Sequence, residues 1–398
     1  MAYELVDGEP VARDPGIYGG GRTEGEKFIF WSLAALAACQ RRRWAPDVVH
    51  AHDWHAAAAV ASVAQRRPDD PFWQKTAAVV TIHNLGYAGA GSESAWRDFG
   101  LPPAIGAAAP DWARPLPMAS ALTHADRVTT VSPTYAWEIT TPESGFGLDP
   151  ILRELPTPPA GILNGIDPEL WNPATDRALS SRFTNRTLER RSKNKDSLFS
   201  ELGFEPMDGA PLLSFIGRLD PQKGIDLLLQ SLATLLDVPW RVVVLGTGQP
   251  ELEAMATAFE QGHAGRMRFR GLYDEALARR LYASSDLVVV PSRYEPCGIV
   301  QMLAMRYGAV PIVRATGGLL DTVRDHGSRG GNGFVFKKPS AASLGAAIRR
   351  AIEVYREPRV WRSLQQRAAR VDFSWDKAAG RYAAVYRQAV RARRGRGA

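Results

Sequence analysis

Residues 286–323, DLVVVPSRYEPCGIVQMLAMRYGAVPIVRATGGLLDTV, leave this chain few folds to choose from. They read as an apolar strand, a loop ending in Glu295-Pro296-Cys297-Gly298, and a helix. A second strand follows near 310–313, then a glycine turn, Thr316-Gly317-Gly318, that opens another helix. A strand, a helix and a second strand at this spacing form a βαβ unit and a parallel sheet. Both loops then lie at the C-terminal ends of neighbouring strands, where open parallel sheets bind ligands. One loop carries a carboxylate beside a Pro and a Gly. The other offers backbone N–H groups at a helix N-terminus, suited to a phosphate. A carboxylate for hydroxyls and an amide cradle for phosphate together imply a nucleotide sugar.

The same alternation extends along the chain. Strands are expected at 212–216, 241–245, 267–270, 287–290 and 310–313, with helices near 224–236, 250–261, 274–284, 298–307 and 318–325. Further helices are expected at 340–356, 359–370 and from 375 to about 391. The N-terminal half shows strands at 47–50, 78–82, 127–131 and 161–163, with helices near 25–39, 54–65 and 133–140. Ser132-Pro133 supplies an N-cap and a first-turn proline, and residues 86–117 read as a long loop with short helical pieces. The pattern predicts an α/β protein of two Rossmann-like, doubly wound domains facing a cleft. Their expected bounds are 1–170 and 171–372, followed at 373–398 by a helix packing back towards the N-terminal domain, with a basic tail.

Composition removes other classes. A chain of 398 residues with 45% hydrophobic content suits a globular protein with two cores. The start, MAYELVDGEP, lacks the basic and apolar regions of a signal peptide. Only Cys39 and Cys297 are present, so no disulfide framework is implied and a reducing cytoplasm fits. A net charge of +7 suggests an anionic partner, either a nucleic acid or a phosphorylated small molecule. The arginine clusters at 41–43, 190–191 and in the tail RARRGRGA come without an aromatic-rich nucleic-acid module. The small molecule is therefore the expected partner, with no nucleic acid and no membrane. The tail reads as a solvated, disordered end.

Several constellations could carry chemistry. His50-Ala51-His52-Asp53-Trp54-His55 joins a strand to a helix, and such clustering invites a zinc reading. No second Cys/His cluster supplies the remaining ligands, so no metal is expected, and Asp53 is the ligand-facing candidate. His83-Asn84 repeats the placement one strand later, with Asn84 suited either to capping or to a sugar hydroxyl. Arg218 and Lys223 flank the turn of GRLDPQKG ahead of a helix and form an anion site. Leu245-Gly246-Thr247-Gly248 lacks the third glycine of a dinucleotide fingerprint and reads as a tight turn.

Seven segments in order, AHDWH, TIHNLGY, TTVSPTYAWEI, LNGID, GRLDPQKG, VPSRYEPCG and TGGLLDTV, resemble the bacterial glycogen synthase and plant starch synthase family of retaining GT-B glycosyltransferases. The resemblance implies ADP-glucose and an α-1,4-glucan as substrates, with no cofactor. It implies that Arg218 and Lys223 bind the diphosphate and stabilise its departing charge. Glu295 and the Cys297-Gly298 backbone would hold the glucose. Thr316, Gly317 and Gly318 would cradle a phosphate with Leu319 nearby. His83 and Asn164 would approach the sugar from the opposite wall, with Asp53 lining the same cleft. Tyr273 matches a position near the adenine, and equally fits an ordinary core aromatic. The family's Lys-Thr-Gly-Gly loop is absent from these 398 residues, so the N-terminal domain is expected to lack its first βαβ units. Another GT-B transferase, of the sucrose synthase or UDP-sugar kind, and an inactive glucan-binding remnant are the alternative readings.

Overall fold

The computed structural model describes residues 21–205 and 209–395, with the strand pieces β1 (Leu5–Val6) and β2 (Glu9–Pro10). Two compact units emerge. The first comprises residues 1–131, 136–162 and 380–398, and the second residues 132–135 and 163–379.

In the first unit, β3 (Val48–His52), β4 (Ala77–Ile82), β5 (Arg127–Thr130) and β6 (Ala160–Gly161) form a parallel sheet in the order β3-β4-β5-β6. Its helices are α1 (Gly21–Arg41), α2 (Ala57–Arg66), α3 (Glu93–Asp98), α4 (Pro117–His124) and α6 (Asp149–Arg153); α5 (Pro133–Glu138) starts in the segment that groups with the second unit. The Ser132 hydroxyl accepts the Tyr135 N–H at 3.1 Å, the cap expected from Ser-Pro. Every residue of β4 is buried, Thr81 included, as expected of a largely apolar strand covered on both faces.

The second unit holds β7 (Leu212–Ile216), β8 (Arg241–Leu245), β9 (Met267–Arg270), β10 (Leu287–Val290), β11 (Val310–Arg314) and β12 (Phe334–Phe336). All pair in parallel, in the order β12-β11-β10-β7-β8-β9. The sheet is flanked by α7 (Arg191–Leu202), α8 (Ile225–Ala233), α9 (Pro250–Gly262), α10 (Glu275–Ser284), α11 (Val300–Arg306), α12 (Gly317–Thr322), α13 (Ala341–Tyr355) and α14 (Pro358–Ala369). The strand order reverses between β7 and β10, the topological switch point of a doubly wound sheet. Its core joins Leu228, Leu232, Trp240, Val242, Val289, Ile312 and Ile348, all at most 1% exposed. Helix starts follow local chemistry: the Asp274 carboxylate accepts the Leu277 N–H at 2.8 Å, and Ser340 caps α13.

Each sheet is pinned in the same way. Asp126, just before β5, accepts the Ala78 N–H of β4 at 2.8 Å and an Arg67 N–H at 2.6 Å. Asp286, just before β10, accepts the Leu212 N–H of β7 at 2.8 Å and an N–H from the Lys195 ammonium at 2.7 Å. A carboxylate placed between two parallel strands satisfies an orphan amide and sets their register.

Three expectations change. The tail is not disordered through residues 391–395, because α15 (Trp375–Gly395) runs on to Gly395; residues 396–398 lie outside the described residues. Its Val385 and Ala389 are buried, and Arg393 reaches Asp126 at 3.1 Å while Arg394 reaches Asp47 at 2.5 Å. The Arg190-Arg191 cluster divides: Arg190 is exposed, while the buried Arg191 guanidinium donates to the carbonyls of Tyr282 and Ser285. Burial lowers its pKa to about 10, opposed by Asp286 and Tyr355. The glycines of Gly246-Thr247-Gly248 do not make an isolated tight turn. They extend the ladder, with the Gly217 N–H donating to Leu245 and the Leu219 N–H to Thr247, both at 3.0 Å.

Arg393→Ala leaves the buried Asp126 carboxylate with one cation. It is expected to destabilise the first unit by roughly 1–3 kcal/mol, read as a lowered denaturant midpoint; an unchanged midpoint would contradict the docking of the tail.

Candidate active site

Strand β7 ends in the turn 217–224, and β10 in the loop 291–298, side by side at the switch point. Gly224 caps α8 at φ 72°, and a Cβ there would lie 2.6 Å from the Pro291 carbonyl. Only glycine lets the two loops approach this closely. The result is a pocket of about 150 Å³ whose lining includes Gly217, Arg218, Lys223, Ser292, Glu295 and Gly298. Four residues singled out from sequence, Arg218, Lys223, Glu295 and Gly298, thus meet in one pocket.

Their charges are paired. The Lys223 ammonium donates to Glu295 Oε2 at 2.7 Å, and the Ser292 hydroxyl donates to the same oxygen at 2.8 Å. Glu295 is 5% exposed, and such burial is tolerable for a carboxylate only with partners of this kind. Arg218 lies 3.2 Å from Asp220 and is largely exposed. Ser292 was invisible from sequence beyond its spacing of three from Glu295.

The glycine turn differs from the expected open cradle. Gly317 has φ 43°, and a Cβ there would strike the Glu295 carbonyl. The Gly318 N–H donates to the carbonyls of Glu295 and Pro296 at 3.1 and 3.2 Å, and the Leu319 N–H to Thr316 at 3.1 Å. The Gly318 amide therefore holds the turn against the 295–297 loop, because the close approach that needs glycine also brings carbonyls within reach, while the Leu319 amide closes the turn on itself. Thr316 and Leu319 are buried.

Cys297 is buried, and its thiol pKa is pushed up to about 12 by burial, opposed by the Asn164 backbone N–H and reinforced by Glu295 and Asp321. Burial therefore favours the neutral thiol at this position. The carbonyls of Cys297 and Gly298 accept from the Gln301 amide at 3.1 and 2.9 Å. Asn164 groups with the second unit, where its backbone N–H meets the Cys297 thiol. Tyr273 is 86% exposed, which overturns the core alternative for it.

In the first unit, Asp53 adopts φ 55° in the turn between β3 and α2. Its Oδ1 accepts the His83 N–H at 2.7 Å and the Asn84 N–H at 3.3 Å, so this oxygen orders the loop after β4. Burial raises the Asp53 carboxyl above its ordinary range, opposed by those two bonds. The Asn84 side-chain carbonyl accepts the Gly86 N–H at 3.0 Å, the capping alternative. The histidines are interlocked. His83 Nε2 and His52 Nδ1 lie 2.9 Å apart, and His50 bonds Tyr386 of α15 at 2.8 Å and Thr81 at 2.6 Å. Tyr386 lies 336 positions from His50, and nothing local announces it. Among the described residues no three His, Cys, Asp or Glu side chains are grouped to hold a metal ion, and no helix is long and apolar enough to cross a membrane.

Residues 1–154 match the starch synthase catalytic domain, and residues 203–367 match glycosyl transferases group 1. The chain is 41% identical to the glycogen synthase of Anaeromyxobacter sp. over 378 residues, covering 94% of this chain and 80% of that protein. It is 40% identical to the glycogen synthase of Cellvibrio japonicus, covering 90% and 76%. The chain belongs to the glycogen synthase and starch synthase family. The catalytic domain of starch synthase IV from Arabidopsis thaliana, bound to ADP and acarbose, superposes with a TM-score of 0.85 at 33% identity, covering 94% of this chain and 79% of that one. As a family member this chain is a glycosyltransferase of the GT-B fold, with a parallel α/β sheet in each unit.

Burial sets the acid limit of the histidine cluster. It lowers the pKa of His50 to about 4, reinforced by His52 and His83, and holds His52 and His83 below their ordinary 6.5 as well. The folded state keeps these rings neutral where the unfolded chain takes up protons. Stability is therefore complete above pH 6.5 and falls as pH drops towards 4. His50→Gln is expected to flatten the slope of unfolding free energy against pH by about one proton in that window, measured by urea titration at several pH values. Equal slopes for both proteins would contradict the buried neutral imidazole.

Proposed function

We propose that this glycogen synthase family member transfers glucose from ADP-glucose to the 4-hydroxyl at the non-reducing end of an α-1,4-glucan, with retention at the anomeric carbon. The observation that carries the reading is the switch-point pocket, where Arg218, Lys223 and Glu295 converge beside the Gly298 turn. Two cations serve a leaving diphosphate, and a buried carboxylate serves sugar hydroxyls. Preorganised charge of this kind stabilises the transition state without reorganisation during reaction.

In the structure each cation already has a carboxylate, Glu295 for Lys223 and Asp220 for Arg218. Donor binding is then an exchange of partners. The diphosphate takes up Lys223, and Glu295 is released towards hydroxyls while Ser292 retains one of its oxygens. Cys297 lies outside the pocket lining, and the reading rests on leaving-group stabilisation by Arg218 and Lys223. His83, ordered by Asp53 and His52, is assigned to the sugar. Tyr273, exposed as a stacking surface would be, is assigned to the adenine. The reading requires no metal and no cofactor.

Lys223→Ala is expected to lower kcat by roughly 10²–10³-fold at saturating ADP-glucose, as when one preorganised donor is removed. ADP release with glycogen as acceptor measures it, and near-normal turnover would sink the assignment. Glu295→Gln removes the competing carboxylate from Lys223. It is expected to bind ADP more tightly than the wild type in calorimetry while transferring glucose far more slowly. Weaker ADP binding in that variant would contradict the exchange of partners.

A further inference from the structure

Lys223 and Glu295 stand on two separate loops, and neither is on a helix or strand. Their separation is therefore set by whatever joins the turn 217–224 to the loop 291–298. One side chain accounts for most of that joint. Arg293 forks onto Asp226 in the first turn of α8, with Nη1 to Oδ1 at 2.9 Å and Nη2 to Oδ2 at 2.6 Å. Its Nη1 also donates to the Pro221 carbonyl at 2.7 Å, and its backbone N–H to the Gln222 carbonyl at 2.7 Å. The Gln222 amide returns a bond to the Tyr294 carbonyl at 3.1 Å. These bonds bracket Lys223 on one loop and end one residue before Glu295 on the other. From the far side, Arg314 at the end of β11 donates to the carbonyls of Ser292 and Arg293.

We propose that Arg293, clamped to Asp226, is a positioning residue for glucosyl transfer: it fixes the spacing of Lys223 and Glu295 while those two exchange partners. Arg293 is not in the pocket lining and acts through the loops. The proposal rests on the glucosyl-transfer reading of that pocket. A planar guanidinium gripping both carboxylate oxygens fixes orientation as well as distance, which a lysine ammonium cannot do. The Arg293 side chain is 37% exposed and that of Asp226 19%, and a single partly exposed ion pair contributes a modest share of stability even when bidentate. Loss of the clamp is thus expected to loosen geometry far more than it unfolds the chain. A misplacement of about 1 Å in catalytic groups suffices for a 10²-fold loss.

The test uses the full chain as wild type, Arg293→Gln, Arg293→Lys, Asp226→Asn and the Arg293→Gln/Asp226→Asn double variant. Expected for each single variant is a kcat lowered by roughly 10–100-fold, with KM for ADP-glucose changed only a few-fold and the thermal midpoint nearly kept. The double variant should be no slower than the worse single one, because both remove one clamp. Trace acetylation read by mass spectrometry should find Lys223 several-fold more reactive in the variants, since its contact with Glu295 is no longer held. A purely structural role would lower the thermal midpoint and leave Lys223 reactivity unchanged. Unchanged reactivity, a kcat within twofold of wild type, or losses that multiply in the double variant would each overturn the proposal. Should the wild type itself transfer no glucose, the glucosyl-transfer reading fails, and Lys223 reactivity with ADP affinity still decides whether Arg293 positions the pocket. Should Arg293→Gln fail to fold, Asp226→Asn and Arg293→Lys carry the same comparison.

Discussion

The pairing of β7 with β10 is the constraint on which the candidate site depends. Leu287 and Val288 sit opposite Leu213 and Ser214, and Asp286 locks that register by accepting the Leu212 N–H. Strands that follow one another in the chain diverge from this line, β8 and β9 to one side and β11 and β12 to the other. The loops leaving β7 and β10 are therefore free to face each other, with no crossover helix between them. Lys223 and Glu295, 72 positions apart, meet because of that single reversal.

Close packing at the pocket is obtained with glycine and held with hydrogen bonds. Gly224 and Gly317 take positive φ and bring backbone against backbone, so the loops become one interlocked surface. The same proximity commits the Gly318 amide to a carbonyl. A carboxylate as buried as Glu295 would be costly if it stood alone. The Lys223–Glu295 contact, with Ser292 on the same carboxylate oxygen, offsets that cost.

The first unit solves a different problem. Its histidines lie at strand ends, where burial disfavours charge, and neutral imidazoles are retained by bonding one another, Tyr386 and Thr81. Asp53 commits one carboxylate oxygen to the backbone of His83 and Asn84. Order in this region comes from polar groups chained together, and α15 is part of that chain through Tyr386 and through Arg393 on Asp126.

The sequence by itself determined the βαβ alternation, the placement of GRLDPQKG, EPCG and TGG at strand ends, and, through seven motifs in order, the family. Those features are local: apolar runs, turn residues and short spacings carry them within a few dozen positions. It missed β12, α4, α6 and α7, whose patterns are short or polar, and it misjudged the tail, whose arginines read as solvated until Asp126 and Asp47 are in place. Tertiary structure alone decided the strand order, the pairing of Lys223 with Glu295, the Arg293–Asp226 clamp and the exposure of Tyr273. It also decided which amides of the glycine turn are already spent. Each of these depends on which distant segment lies opposite, and that is settled by packing the two faces of a sheet rather than by any local pattern.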